Sequence, residues 1–209
     1  FVRQMGHPVA FGVPKGARIE GSPAPAANVF VAKWRIVAKG TLEPRTGLIE
    51  APPPDVVRRT QGVEWLQFRL NDREDDLEIL QAPAPLRQKG FADGPQYCSA
   101  DDAGPMNQSF SQAVPFDAWA TEWVDCNHFG WADAKGTRHA RVAPLKYRFD
   151  PGRGLYDWIE IGPYMECEAM GLGEASIARL DTGWLIGARG DSAIGWVRTE
   201  DPFRHMPSP

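Results

Sequence analysis

Long apolar runs are missing from this sequence. Nowhere do about 18 apolar residues follow one another, so no segment is expected to span a membrane as a helix. Blocks of basic residues are missing too: Lys and Arg number 23 against 27 Asp and Glu, a formal net charge of −4, which argues against phosphate-driven binding of nucleic acid. Cysteine is scarce. Cys98, Cys126 and Cys167 stand far apart with no CxxC spacing, which excludes a disulfide framework and points to free thiols, with a single disulfide still open. The histidines, His7, His128, His139 and His205, show no HxH or HxxxH spacing, and the acid-rich stretch Asn71–Asp76 fails the EF-hand pattern. There is no GxGxxG, no P-loop and no GxSxG elbow. No metal and no cofactor is therefore expected. The chain opens at Phe1, without an initiator Met or the sections of a signal peptide, and is expected to be processed or fragmentary. Its compartment is left open.

Turn formers and aromatics are plentiful. Gly (21) and Pro (19) together make up nearly a fifth of the 209 residues, which works against long helices, and 8 Trp and 10 Phe supply material for a core. Helical periodicity is nearly absent, with Asn71–Glu78 the best candidate for a helical turn. Strands are expected at Asn28–Lys39, Val63–Leu70 and Leu77–Leu80. Residues 41–62 and 81–105, rich in Pro, Gly and charge, read as long surface connections. Four successive strands then follow: Asn107–Val114, Thr121–Phe129, Arg141–Phe149 and Leu155–Ile161, the last two separated by the turn Asp150-Pro-Gly-Arg-Gly154. A further set comprises Glu174–Leu180, Trp184–Arg189 and Ile194–Arg198, and the turn Asp181-Thr-Gly183 makes its first two members a β-hairpin.

Val63-Glu-Trp-Leu66 and Thr121-Glu-Trp-Val124 share a Glu-Trp pair 58 residues apart, and the strand openings at Asn107 and Glu174 lie 67 apart. This spacing suits a four-stranded antiparallel unit repeated about three times, as in the blades of a β-propeller. The expected fold is thus all-β, a single propeller-like domain or part of one over residues 1–209, with an irregular β-sandwich as the alternative. Because propellers close with more blades than three, completion by another copy, another chain or missing sequence is expected.

The most informative segment is Gly173-Glu-Ala-Ser-Ile-Ala-Arg-Leu-Asp-Thr-Gly-Trp-Leu-Ile-Gly-Ala-Arg189. It resembles a blade of the sialidase-like propellers, in which a Glu opens a strand, a D-x-G turn follows and the next strand ends in Arg. The resemblance covers about 30 residues, reaching to Ile194–Phe203. It implies that Glu174 handles a proton, by activating a Tyr nucleophile, and that Arg189 helps clamp a substrate carboxylate. A guanidinium suits that task because it grips a carboxylate with two parallel hydrogen bonds. The three arginines, the Asp and the Tyr that complete such a site have no assigned positions here.

A second constellation gathers Asn107, Gln108 and Ser109 with Glu122, Asp125, Asn127 and His128. Alternation puts Trp123, Asp125, Asn127 and Phe129 on one face of their strand and Glu122, Val124, Cys126 and His128 on the other. His128 is the candidate acid/base of a lyase-type reaction, with a hydrogen-bonded structural role as the alternative; His7, in a turn context, is a weaker candidate of the same kind. Asn107 and Gln108 would help hold the sugar. The loop Arg189-Gly-Asp-Ser192 spells RGD, and Asn107-Gln-Ser109 fits a glycosylation sequon. Most of the tryptophans are expected to pack between sheets, with Trp119 and Trp131 the two most expected to be exposed. The functional expectation is a carbohydrate-active propeller that cleaves a glycosidic bond in an acidic glycan, by hydrolysis or β-elimination. The alternative is a non-catalytic module that binds glycans or proteins.

Overall fold

Period-two alternation, interrupted by Gly, Pro and Asx turns, generates every regular element in the computed structural model. The structure describes residues 2–14, 16–18, 29–40, 62–71, 73, 75–81, 84–85, 112–132, 138–165, 167, 171–190 and 193–204. These residues form strands and no helix. The first sheet holds β1 (Val2–Gly12), β2 (Val29–Gly40), β3 (Gly62–Leu70) and β4 (Leu77–Ile79) in that order, with β5 (Ala84–Pro85) also paired to β3. The second holds β6 (Val114–Pro115), β7 (Glu122–Ala132), β8 (Arg138–Asp150) and β9 (Leu155–Ile161). The third holds β10 (Ala175–Leu180), β11 (Gly183–Arg189) and β12 (Ile194–Thr199). The pairings are antiparallel, and apart from β5 spatial order follows chain order in each sheet.

The second sheet is the middle layer. Its odd-numbered residues Trp123, Ala143, Leu145 and Tyr147 pack against Val9, Phe11, Val31 and Trp65 of the first sheet. Its even-numbered residues Val124, Cys126 and Val142 pack against Ala175, Ile177, Trp184, Ile186, Ala188 and Val197 of the third. A register shift opposite Lys146/Tyr147 lets Trp158 and Ile161 of β9 both reach the first interface. Full burial of side chains such as Leu145 and Ile186 stabilises each interface by about 1.5–3 kcal/mol apiece.

The expected strands of the second half appear with small changes of boundary, and Leu155–Ile161 appears unchanged. Of the Asn107–Val114 strand, residues up to 111 lie outside the described residues, and Val114–Pro115 pairs with Trp123 and Val124. Strand β1 was not expected. Register shifts around Met5 and between Gly6 and Val9 break its alternation, and Pro8 has no N–H for a regular ladder; His7 lies in that irregular stretch rather than in a turn. Asn71–Glu78 is not a helical turn. The Asn71 side-chain oxygen accepts the Arg73 and Asp75 N–H groups, closing the hairpin between β3 and β4. Most of 41–62 and 81–105 lies outside the described residues, while Ala84 and Pro85 form a strand within an expected connection. Neither Cys126 nor Cys167 is in a disulfide, and Cys98 lies outside the described residues.

The Glu-Trp pair is not a rotational repeat. Rotation from one blade to the next would aim equivalent residues in the same sense, yet Trp65 of the first sheet and Trp123 of the second face the same interface and both meet Phe11, with centroid distances of 5.1 and 5.8 Å.

Two turns carry most of the local constraint. Gly183 closes the β10–β11 hairpin with φ of 108°, and a Cβ there would collide with the Thr199 carbonyl oxygen. Asp117 organises the β6–β7 connection: it accepts the N–H groups of Trp119 (2.7 Å), Thr121 (3.3 Å) and Glu122 (2.6 Å), and the Thr121 hydroxyl (2.7 Å). Partial burial raises the Asp117 pKa, but these hydrogen bonds outweigh it and hold the carboxyl below its ordinary value.

Gly183→Ala is expected to destabilise the protein by about 2 kcal/mol or more, read from urea unfolding, because positive φ and the collision act together. A depressed folded-state pKa gives stability that is present above the unfolded pKa and lost as pH falls through the folded one. The stability advantage of the parent over Asp117→Asn should therefore shrink on acidification below about pH 4, measured as the difference in Tm between the two proteins.

Candidate functional site

Register decides which polar groups meet. The two-residue turn Asp181-Thr182 pairs Leu180 with Gly183, so every later pair in the hairpin follows, up to Ala175 opposite Ala188. One step beyond lie Glu174 and Arg189, bridged by the Arg189 N–H donating to the Glu174 carbonyl oxygen at 3.2 Å. Their side chains form an ion pair, with Arg189 Nη1 donating to Glu174 Oε2 at 3.0 Å. The two residues singled out by their resemblance to a propeller blade are thus direct neighbours. The pair is open to water, the side chains being 43% (Glu174) and 68% (Arg189) exposed.

The pair sits on the outer face of the third sheet, away from the middle layer. Three cross-strand rows define that face. Glu174, Arg189 and Ile194 form the first; Ser176, Gly187 and Trp196 the second; Ala178, Leu185 and Arg198 the third. Ile194 and Trp196 are 74% and 64% exposed. Arg198 Nη2 donates to the Thr182 hydroxyl at 2.5 Å.

The second constellation divides. Asn107 and Gln108 lie outside the described residues. His128 stands in β7 opposite Val142, described by its backbone alone. Glu122 is half-buried and paired across the strands with the exposed Arg148 at 2.6 Å. Asp125 and Asn127 share a face, as alternation requires, but that face is core: both are buried between the first two sheets. Asp125 Oδ1 accepts Asn127 Nδ2 at 2.6 Å and the Tyr147 hydroxyl at 3.1 Å. Burial, and then the Asp125 charge, push the Tyr147 pKa well above its ordinary value, so this hydroxyl stays protonated and donates. The cluster holds the core together and is closed to solvent.

Trp119 is 77% exposed at the tip of the Asp117 turn, as expected; Trp131 is described by its backbone alone. Trp196, which was not among the two tryptophans singled out for exposure, is exposed as well. The signal was present in β12, where Ile194, Trp196 and Arg198 alternate with the buried Val197 and Thr199, but it needed the register to be seen. Asp191 and Ser192 of the RGD loop lie outside the described residues. Among the described residues, no three His, Cys, Asp or Glu side chains come together as a metal-holding group, and no helix is long and apolar enough to cross a membrane. No protein-family model, curated protein or solved structure matches the chain.

Tyr147→Phe is expected to cost about 1–3 kcal/mol in urea unfolding, because it removes one of the donors that compensate the buried Asp125 carboxyl.

Proposed function

We propose that the three stacked sheets are successive blades of a propeller-like carbohydrate-active protein that acts on an acidic glycan at the Glu174–Arg189 pair. The observation that carries this reading is the pair itself: a carboxylate and a guanidinium at 3.0 Å, exposed, at one end of two paired strands. Three antiparallel meanders layered in chain order suit consecutive blades, and the outer face of the third is the one left open to a ligand.

The chemistry follows from competition. Arg189 is held by Glu174, so an acidic sugar that binds Arg189 through its own carboxylate displaces Glu174. The freed carboxylate then stands beside the sugar as the group that handles the proton in hydrolysis or β-elimination. His128 is the second proton-handling candidate, and Asn107 and Gln108 are further sugar-holding candidates. The open setting of the pair favours a second reading, non-catalytic binding of the same acidic glycan, in which the exchange at Arg189 is the whole event.

The two members of the pair should respond with opposite signs. Glu174→Gln removes the competitor and should tighten binding of sialylated or uronate oligosaccharides a few-fold, the size of an exposed ion pair. It should also lower turnover by about 10²–10⁴-fold if Glu174 moves the proton. Arg189→Ala should weaken binding at least tenfold or so. Calorimetry gives the affinities, and released sugar and the absorbance of unsaturated products give the turnover. Binding by Arg189→Ala as tight as the parent's would sink the site assignment; binding with no turnover in the parent selects the second reading.

A further inference from the structure

Glycine inside a β-strand weakens it and is kept where a bulge, a turn or a close approach requires it. Gly183 meets that condition through its φ of 108°, and Gly162 through the Pro202 carbonyl oxygen and the Pro144 ring, which leave no room for a Cβ. Gly187 does not. It lies in the middle of β11 without positive φ, paired regularly on both sides, and a Cβ there meets nothing closer than the Gly195 carbonyl oxygen at 4.0 Å. The fold does not need a glycine at this position, yet the result is a gap in the outer face of the third sheet.

The borders of that gap have a consistent chemistry. Trp196 pairs with Gly187 across β11 and β12 and exposes its indole; Ser176 pairs with Gly187 from β10. Arg189 with Glu174 and Arg198 with Thr182 lie in the rows on either side. Arg189 and Trp196 are diagonal neighbours, about 7–8 Å apart by sheet geometry, a span that one sugar ring bridges.

We infer that Gly187 and Trp196 form a stacking subsite for an anionic pyranose, whose apolar CH face lies on the Trp196 indole while its carboxylate binds Arg189. This rests on the acidic-glycan reading above and adds to it the platform that orients the ring. The indole supplies a rigid apolar surface at small entropic cost, the absent side chain at position 187 lets the ring come down onto the sheet, and the flanking guanidiniums match a negative ligand.

The test uses a uronate oligosaccharide and its carboxyl-reduced counterpart, titrated against the parent, Trp196→Ala, Trp196→Phe, Gly187→Val and Arg189→Ala, each first checked for an unchanged circular dichroism spectrum. Gly187→Val is the informative variant, since a β-branched residue suits an exposed strand position and should raise Tm while filling the gap. The subsite predicts that Gly187→Val and Trp196→Ala each weaken uronate binding about tenfold or more, that Trp196→Phe retains most of it, and that the change in tryptophan emission on binding disappears in Trp196→Ala. The reduced sugar should lose the Arg189 contribution while keeping its sensitivity to Trp196. Uronate binding that needs Arg189 but is indifferent to Trp196→Ala and Gly187→Val would overturn the subsite and leave the acidic-glycan reading standing. No binding of either sugar to the parent would overturn both.

Discussion

Burial of the middle sheet on both faces is the constraint from which the rest of the arrangement follows. A strand that packs on both sides must present apolar or internally satisfied side chains at odd and even positions alike, and β8 does so through Val142, Ala143, Pro144 and Leu145. Where β7 places Asp125 and Asn127 in that interior, the cost of burying them is offset by pairing them with each other and with Tyr147. Lys146 obeys the same rule differently: its ammonium reaches Glu160 at 2.6 Å while lying over the rings of Phe116 and Phe203, at 4.2 and 4.1 Å from their centroids.

Double burial of one sheet leaves its two neighbours with single inner faces and therefore with outer faces of their own. On the first sheet that face carries Phe30 stacked on Phe68, with Leu77 and Ile79 exposed beyond them. On the third it carries charge, glycine and tryptophan together. The two outer faces thus differ in kind, one apolar throughout its described side chains and one mixed. Among the described residues, only the mixed face offers groups that can recognise a small polar ligand.

The sequence was legible where period and turn chemistry agree. Leu155–Ile161 alternates cleanly behind a Pro-Gly turn, and the Asp181-Thr-Gly183 turn made the hairpin readable from local rules, whereas the meeting of Glu174 with Arg189 emerged only with the register. It was illegible where those rules conflict or fall silent. The irregular pairing around Met5 and from Gly6 to Val9 hides β1, and the cluster of charges at Asn71–Glu78 imitates a helical turn although Asn71 closes a hairpin. Asp125 and Asn127 have the residue types of a sugar site, and only the packing of two sheets reveals that they are core. Trp196 is the opposite case. An indole is ordinarily core material, and its exposure depends on which face of β12 looks outward, a fact that lies in the pairing and not in the residue.

The candidate site depends on a single turn to an unusual degree. A β-strand flips every side chain when its register slips by one. If the hairpin closed one residue later, Arg189 would leave the outer face and Ala188 would take its place there. Gly183 is what prevents this, because its positive φ and the close Thr199 carbonyl admit one residue type and hence one closure. The same register that brings Glu174 opposite Arg189 also brings Ser176 and Trp196 alongside Gly187, so the ion pair and the gap are set together and cannot be tuned separately by shifting the strands. Variation in this site must therefore come from side-chain identity at fixed positions, and position 187, where the fold tolerates a larger residue, is where such variation would change ligand access without changing the scaffold.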